Sequence, residues 1–260
     1  MKARIDSRHI ALLVGAISLA TLASVSITSA FAADEPAAAP AVEAAGEVTF
    51  REGRAFRYFG KDQKKALKKG ESVFAGDKVK TIGNSKLEIK LGDGSMVRLG
   101  PKSEATIKEA AFIDGGRKVS VGLSLGKAWT KVTKAFGADS KYEITTDNAV
   151  AGVRGTTFRV NANKDKSTLV RVYNGAVAVA GMRPMYQTHE TGEKRQEVAG
   201  PQQVSKDQWE KLVGEMMSIK IGANGLPAEP EEFAAADEAK SAEAAWVAWN
   251  QKRDAALAGE

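Results

Sequence analysis

The stretch NAVAGVRGTTFRV, Asn148 to Val160, decides the fold of this chain. Its alanines, valines and threonines are typical of a β-strand, but Gly152 and Gly155 interrupt it. Apolar residues occupy odd positions up to Val153 and even positions from Phe158 onward. Because strand side chains alternate between two faces, one inserted residue is needed if both sets point into the core. Gly155 can take a positive φ, so the pattern predicts a β-bulge at that residue.

Arg154 would then face away from Val153 and would have five N–H donors to place. Two roles are open for it. It could brace the bulge by donating to nearby backbone carbonyls or to Asp147, or it could hold an anionic ligand as a fork for carboxylate or phosphate. A bulge frees carbonyl oxygens from the ladder, which favours the bracing role.

The surrounding sequence has the same character from Glu47 onward. The run KVSVGLSL, Lys118 to Leu125, alternates apolar and polar residues, as a strand with one buried face does. A glycine-rich reversal at Gly92 to Gly94 predicts one hairpin, and Asn174-Gly175 predicts another with a type I′ turn. We therefore predict an all-β fold, a sandwich or roll of short antiparallel strands, over residues 47–182.

The N-terminus predicts export. Lys2, Arg4 and Arg8 precede an uncharged, mostly apolar run that closes on small residues, which is typical of a cleavable signal peptide over 1–32. The alternative is an uncleaved anchor, because the run could cross a bilayer of about 30 Å. Residues 33–46 form a Pro/Ala linker. The chain has no cysteine, so an exported protein would depend on core packing without disulfides.

The sequence beyond residue 182 predicts a polar loop with an edge strand over 183–204, interrupted by Pro201. Ser205 and Gln208 form a capping box, and the apolar spacing that follows predicts an amphipathic helix over 205–218. A longer helix is predicted over 229–257. Trp246 and Trp249 on it either pack against the β body or contact a partner, and packing is favoured.

Charge is distributed unevenly along the chain. Residues 47–181 carry 26 Lys and Arg against 14 Asp and Glu, a net of +12, whereas 182–260 carry 9 against 14, a net of −5. The basic body could therefore attract the acidic C-terminal segment or meet anionic polymers of the cell envelope. The alternative is that its lysines are solvated and only keep a β-rich protein soluble. Export argues against nucleic acid as the partner.

The residue types needed for catalysis are scarce. Beyond the signal segment His189 is the one histidine, and there is no thiol, so neither a nucleophile–histidine pair nor a zinc site is predicted. Asp77 and Asp93 could pair as acid and base in a glycosidase. Each stands beside glycine, where aspartate commonly bonds its own turn, and turn formation is favoured. We predict a protein that is not an enzyme and has no cofactor or metal.

The stretch GVRGTTFRV also resembles the Gly-x-Arg-Gly-Thr signature of the FecR domain, the exported portion of regulators of ferric citrate uptake. The resemblance extends from Glu47 to Gly181. The residues that carry it are Gly152, Arg154, Gly155 and Thr156, then Gly76, Asp77, Thr81, Asp93 and Gly94 upstream, and Asn174 and Gly175 downstream. It implies a β-rich extracytoplasmic module for sensing and signal relay.

Well-known members of that family carry a cytoplasmic segment that engages a sigma factor, whereas nine residues precede the apolar run here. We therefore expect a free periplasmic or secreted module of a Gram-negative bacterium. Its expected work is recognition, in signal relay or envelope organisation, through a protein partner or an anionic ligand. The alternative is an adhesive scaffold whose basic β body binds lipopolysaccharide or peptidoglycan. The sequence leaves the ligand and the oligomeric state open.

Overall fold

The computed structural model describes residues 43–61, 63–113, 116–134, 140–182 and 210–258. The predicted signal peptide at 1–32 and the predicted loop and edge strand at 183–204 lie outside these residues, as does His189. The predicted linker at 33–46 extends too far, because the first strand begins at Ala44. Ala44 pairs with Phe74, and Gly46 pairs with Val73.

The described residues contain fifteen strands and two helices. The strands are β1 Ala44–Phe59, β2 Gln63–Ala66, β3 Ser72–Phe74, β4 Lys78–Leu91, β5 Met96–Leu99, β6 Glu104–Ile113, β7 Gly116–Lys131, β8 Lys141–Thr145, β9 Ala149–Val153, β10 Thr157–Ala162, β11 Thr168–Asn174, β12 Val177–Gly181, β13 Glu210–Val213, β14 Met217–Ile221 and β15 Glu231–Glu232. The helices are α1 Ala235–Ala239 and α2 Ala244–Ala258. None of the helices in the described ranges is long and apolar enough to span a membrane.

The strands form one continuous hydrogen-bonded sheet that folds over into two layers. The front sheet runs in the order β2, β1, β4, β6, β7, β8, β9, β12, β13. The back sheet runs β3, β1, β4, β5, β7, β10, β11, β14, β15. Strands β1, β4 and β7 belong to both layers. Neighbouring strands are antiparallel except β7 and β8, which are parallel.

The inner faces of the two layers share one core. A single buried cluster includes Val79 and Val121 of the front sheet and Leu99, Val160 and Ile219 of the back sheet. The predicted β-sandwich is therefore confirmed, with the difference that several strands are long. A 14- or 16-residue strand can serve both layers because it bends between them.

The bends in these long strands occur at glycine. In β7 the residues before Gly126 pair with β6, and those after it pair with β5 and β10. Gly126 has a φ of 91°, and a Cβ there would lie 2.6 Å from the Cα of Ser103. A side chain at this position would therefore be strained and would clash with backbone.

The opening stretch crosses between the layers. Strand β9 pairs with β8 and β12 in the front sheet, and β10 pairs with β7 and β11 in the back sheet. Gly155 has the predicted positive φ, 68°, but it lies between two strands. The predicted bulge inside one strand is therefore wrong. The shift of the apolar residues from odd to even positions has another cause. Ala151 and Phe158 both face the core, but from opposite layers.

Asn174-Gly175 is a second crossing, and the predicted hairpin there is wrong. Strand β11 pairs with β10 and β14, whereas β12 pairs with β9 and β13. Gly175 has a φ of 85°, and Asn174 lacks the positive φ that a type I′ turn requires. Residues Ala149 to Gly181 instead form one long hairpin, with β9 and β10 in one arm and β11 and β12 in the other. Both arms cross from one layer to the other, at Gly155 and at Gly175. The hairpin predicted at Gly92 to Gly94 is confirmed, since β4 pairs with β5.

The predicted helix at 205–218 is wrong where the chain is described, because β13 and β14 occupy its second half. Val213 pairs with Val177, and Ile219 pairs with Val170. Hydrogen bonding to these strands therefore determines the local structure, although the spacing of the apolar residues suits a helix. Leu212, expected on the buried face, is 72% exposed. The helix predicted at 229–257 is divided into β15, α1 and α2. The Ser241 hydroxyl accepts a hydrogen bond from the Glu243 amide just before α2 begins.

Candidate functional site

The residues that carry the family resemblance upstream build turns. The Phe74 backbone N–H and Arg57 Nη1 each donate a hydrogen bond to Asp77 Oδ2, at 2.9 Å. Gly76, beside Asp77, has a φ of 90°. The Thr81 hydroxyl donates to the Gly100 carbonyl at 2.6 Å and accepts from the Ser103 amide at 2.9 Å. These polar groups are satisfied within the fold.

Asp93 and Gly94 build the β4–β5 turn in the same way. Asp93 accepts hydrogen bonds from the Ser95 amide at 2.9 Å, from the Ser95 hydroxyl at 2.7 Å and from Arg117. Gly94 supplies a φ of 79°. Asp77 and Asp93 therefore have separate arginines and separate turns, and the structure does not join them as an acid–base pair.

The central signature holds the two crossings together. The Thr156 hydroxyl, 1% exposed, donates to the Ala176 carbonyl at 2.9 Å. A Cβ on Gly175 would lie 3.3 Å from the Gly155 carbonyl oxygen, so the crossings run side by side. Asn174 donates to the Glu215 carboxylate at 3.2 Å, and Gly152 pairs with Ala178 in the front sheet. Arg154 is exposed at this corner, and its two predicted roles stay predictions.

The outer face of the back sheet carries a row of charged residues that the sequence did not reveal. Following neighbouring strands, Glu88 lies opposite Arg98, Arg98 opposite Trp129, Trp129 opposite Arg159, and Arg159 opposite Arg171. Glu88, Arg98, Trp129 and Arg159 are each at most 1% exposed. Each polar member alternates with apolar residues along its own strand, a pattern that predicts exposure to solvent.

The C-terminal helices cover this row. Asp254 of α2 accepts from Arg98 Nη1 at 2.6 Å and from the Trp129 indole at 2.8 Å. Arg253 donates to both oxygens of Glu88, at 2.5 and 2.8 Å. We call this set, Glu88, Arg98, Trp129, Arg253 and Asp254, the helix clamp. Its Arg98–Asp254 pair has the predicted sense, a base of the body with an acid of the C-terminal segment, whereas in the Glu88–Arg253 pair the charges are reversed.

Glu88 is ionised in the helix clamp. Burial disfavours its charged form, but hydrogen bonds from Arg253, Arg98 and Thr49 outweigh burial and lower its pKa to about 2. The neighbouring contacts are equally short: Arg98 Nε donates to Glu88 at 2.5 Å, and the Thr49 hydroxyl donates at 2.7 Å. A buried carboxylate with this many donors is typical of structural ion pairs as well as functional sites.

The two C-terminal tryptophans pack within the chain. Trp246, 5% exposed, belongs to a cluster with Trp129 and Val247, and its ring stacks on Trp249 with centroids 5.2 Å apart. The Trp249 ring also contacts Phe50 of β1 at 5.4 Å. The favoured interpretation, packing against the β body, is therefore confirmed for Trp246, because the indole is enclosed between α2 and the back sheet.

The outer face of the front sheet is basic, and neither of the two described helices covers it. Tyr58 lies between Lys64 and Lys78, and Lys64 Nζ lies 4.0 Å from the centroid of the Phe56 ring. The face continues through Lys80, Thr106, Lys108 and Thr145, which are exposed or partly buried with the exception of Thr145. We call these residues, Phe56, Tyr58, Lys64, Lys78, Lys80, Thr106, Lys108 and Thr145, the basic face.

A small groove crosses the basic face. Lys108 extends over Gly122, where a Cβ would lie 2.6 Å from its Cε, and its Nζ donates to the Thr145 hydroxyl at 2.7 Å. The groove has a volume of about 100 Å³ and is also lined by Thr106 and Ser124. It offers hydroxyls and the Lys108 ammonium group, with Asp147 also in its lining. Lys78 separates the groove from the half-buried ring of Tyr58. Within the described ranges, no group of His, Cys, Asp and Glu side chains could hold a metal ion.

Comparison with known families gives a match whose range contains every signature residue except Gly76. Residues 77–178 match the family model described as FecR protein. Residues 77–178 are therefore similar to a FecR domain. The matched range begins at Asp77, which caps a turn, and ends in β12, so it contains both crossings. Strands β1 to β3 precede the matched range of the FecR domain, and β13 to β15 with both helices follow it in the same fold.

Similar solved structures include two of a "putative anti-sigma factor" from Parabacteroides distasonis, at 1.65 and 2.50 Å resolution. Each is 19% identical, with a TM-score of 0.43, and the match covers 61% of this chain and 60% of that one. The chain thus spans less than two thirds of that protein. No curated protein matches the sequence. The FecR match indicates a sensing or signalling module.

Proposed function

We propose that this chain is an exported, non-enzymatic recognition module that works in signal relay or envelope organisation by binding an anionic envelope polymer through its basic face. The observation that carries the proposal is the location of the lysines beside aromatic rings on the sheet face that α1 and α2 leave open. The N-terminal pattern of basic residues followed by an apolar run supports export.

The charges of the basic face favour an anion. Lys78 and Lys80 share one carboxylate, that of Glu104, at 3.1 and 2.7 Å. Burial opposes the ionisation of Glu104, but hydrogen bonds from Lys80 and Lys78 outweigh it and lower its pKa. Lys64 and Lys108 add two further positive charges, so this part of the sheet stays cationic. Screening limits such attraction to roughly 8 Å at physiological ionic strength.

The aromatic rings and hydroxyls favour a glycan over a simple ion. Tyr58 and Phe56 are half-buried on the same sheet face. Lys78 lies between Tyr58 and Thr106, which lines the groove together with Lys108 and Thr145. Rings of this kind provide apolar faces on which a sugar can pack, and the hydroxyl and ammonium groups can bond its hydroxyl, phosphate or carboxylate groups. A phosphorylated or carboxylated polysaccharide matches both features.

Binding of the purified mature chain to lipopolysaccharide and, separately, to peptidoglycan tests the proposal across a salt series. We expect affinity to fall as salt rises. The double variant Lys64→Gln/Lys108→Gln should lose about 5- to 30-fold at low salt, corresponding to roughly 1–2 kcal/mol for two surface charges. The control Lys240→Gln/Lys252→Gln removes the same charge from the two helices and should bind like wild type.

Two results would contradict the proposal. One is binding that does not depend on salt, and the other is an equal loss of affinity in both double variants. Tyr58→Ala separates the glycan from a simple anion. It should weaken binding to the polymer that the chain recognises and leave inorganic phosphate binding unchanged.

A further inference from the structure

A cleft lies between the two helices and the back sheet, on the opposite side of the core from the basic face. Its volume is about 210 Å³. Phe233, Met216 and Val247 provide apolar walls, Tyr173 forms part of the floor, and Glu238 of α1 is the buried carboxylate in it. We call this the helix cleft. Alanines of α1 and α2, Ala239 and Ala248 among them, form its mouth and are exposed.

Glu238 gives the helix cleft one fixed polar point. It is 5% exposed, and its Oε1 lies 2.8 Å from Arg171 Nη1, 3.0 Å from Arg159 Nη2 and 2.9 Å from the Tyr173 hydroxyl. Burial raises the pKa of Tyr173, so its hydroxyl keeps its proton and acts as a donor to Glu238. These three contacts fall on a single oxygen of the carboxylate.

The walls of the helix cleft are aromatic and adaptable. The Tyr173 ring stacks on Trp129 with centroids 4.3 Å apart and meets Phe233 edge-on at 5.6 Å. Met216 has a φ of 57°, rare for a residue with a side chain, and hydrogen bonds from its amide to Val172 and from Phe233 to its carbonyl fix it there. Backbone strain of this kind is frequent beside binding sites, and methionine adapts to the shape of a ligand.

Size and charge define what the helix cleft can hold. A dry apolar cavity of about 150 Å³ is enough for benzene, so this volume suits one ring or a fused pair. An anion would meet the Glu238 carboxylate, and a cation would meet the guanidinium groups of Arg159 and Arg171. A neutral molecule avoids both penalties, and an N–H or O–H group on it can donate to the carboxylate.

We propose that the helix cleft binds a small neutral ring compound that carries one N–H or O–H donor directed at Glu238. Such a ligand would contact α1, α2 and the strand that bears Tyr173 at once, and would therefore stabilise the docked helices. The site is independent of the basic face, so either proposal can fail alone.

Phenol and indole are the test ligands, with toluene, benzoate and benzylamine as comparisons, in calorimetry and thermal unfolding of the mature chain. Phenol and indole should bind saturably and raise the Tm. Toluene lacks the donor and should bind about fivefold more weakly, the equivalent of roughly 1 kcal/mol for one hydrogen bond. Benzoate and benzylamine should bind more weakly still. Equal binding of phenol, toluene and benzoate would overturn the proposal.

Ala248→Leu fills the mouth of the helix cleft and should abolish the phenol and indole shifts. Ala245→Leu, the same change at an exposed α2 position outside the cleft, should bind like wild type. If Ala248→Leu is misfolded by circular dichroism, Ala239→Leu closes the cleft from α1 and should have the same effect. Unchanged binding in a folded cleft variant would refute the site. Binding of tyrosine-containing peptides without binding of phenol or indole would assign the cleft to a protein partner instead.

Discussion

Replacement of Glu88 by glutamine removes a carboxylate that contacts both Arg98 of the back sheet and Arg253 of α2. We expect it to lower the free energy of unfolding by about 3 kcal/mol at pH 7. The magnitude follows from the pKa, which falls from 4.5 to about 2 in the folded chain, at about 1.36 kcal/mol for each unit. It agrees with the roughly 3–5 kcal/mol lost when one member of a buried ion pair is removed.

The same residue predicts a pH dependence. The folded pKa of Glu88 lies below the unfolded value, so its stabilising contribution is complete above about pH 4.5. It is lost as pH falls toward 2, where the folded carboxylate takes up its proton. The difference in stability between wild type and Glu88→Gln should therefore shrink over this range. Since glutamine does not titrate, the variant lacks this part of the acid sensitivity.

Urea unfolding at several pH values, with thermal unfolding at pH 7, measures both effects. A loss of about 3 kcal/mol should lower the Tm by roughly 6–12 °C for a domain of this size. Glu52→Gln is the matched control, because Glu52 is on an exposed part of β1 with Lys86 3.3 Å away, and its loss should change little. A loss below about 1 kcal/mol at Glu88, or a pH-independent difference, would refute the reasoning.

Three further changes test the crossings and the docked helix. Gly155→Val should lower the free energy of unfolding by at least the roughly 1–3 kcal/mol of a strained backbone, and the Tm should fall sharply. The reason is that the φ is 68° and a Cβ would lie 2.6 Å from Lys134 Cγ. A wild-type melting curve would contradict this. Thr156→Val keeps the shape but removes the donor to Ala176, and should cost roughly 1–3 kcal/mol in urea unfolding, whereas Thr157→Val should cost less. Asp254→Asn should increase hydrogen exchange in α2 more than in β7, since Arg98 loses a charged partner; equal exchange in both would argue against the helix clamp.

The helix clamp gives the uneven charge of the sequence a structural meaning. Within the described part of the acidic C-terminal segment, Glu238, Glu243 and Asp254 each contact a basic residue of the sheets. Lys64, Lys78 and Lys108 of the front sheet are exposed, so their charges are available to a partner. This division, with one sheet face covered by helices and the other open, is the basis for locating recognition on the basic face.

Local pattern alone predicted the class of fold and several of its turns. Alternation around Val119 to Leu125 indicated strands, and the turns at Asp77 and Asp93 followed from aspartate beside glycine. Gly155 was correctly assigned a positive φ. These features depend on φ, ψ and contacts within a few residues, which the sequence specifies directly.

Tertiary structure decided which strands pair and what covers them. Asn174-Gly175 has the composition of a hairpin turn, but β11 and β12 pair with other strands because this arm of the hairpin crosses between the layers there. The segment after residue 209 has helical spacing, but open sheet edges recruited Val213 and Ile219 as strands. The row from Glu88 to Arg171 is assembled from five strands, so no single window of sequence contains it. Its burial depends on α2, which lies more than 80 residues further along the chain than β10. Strand pairing and the burial of the row by α2 both join residues that are distant in sequence. The contacts that stabilise them form only when the sheets form, so local sequence patterns do not specify them.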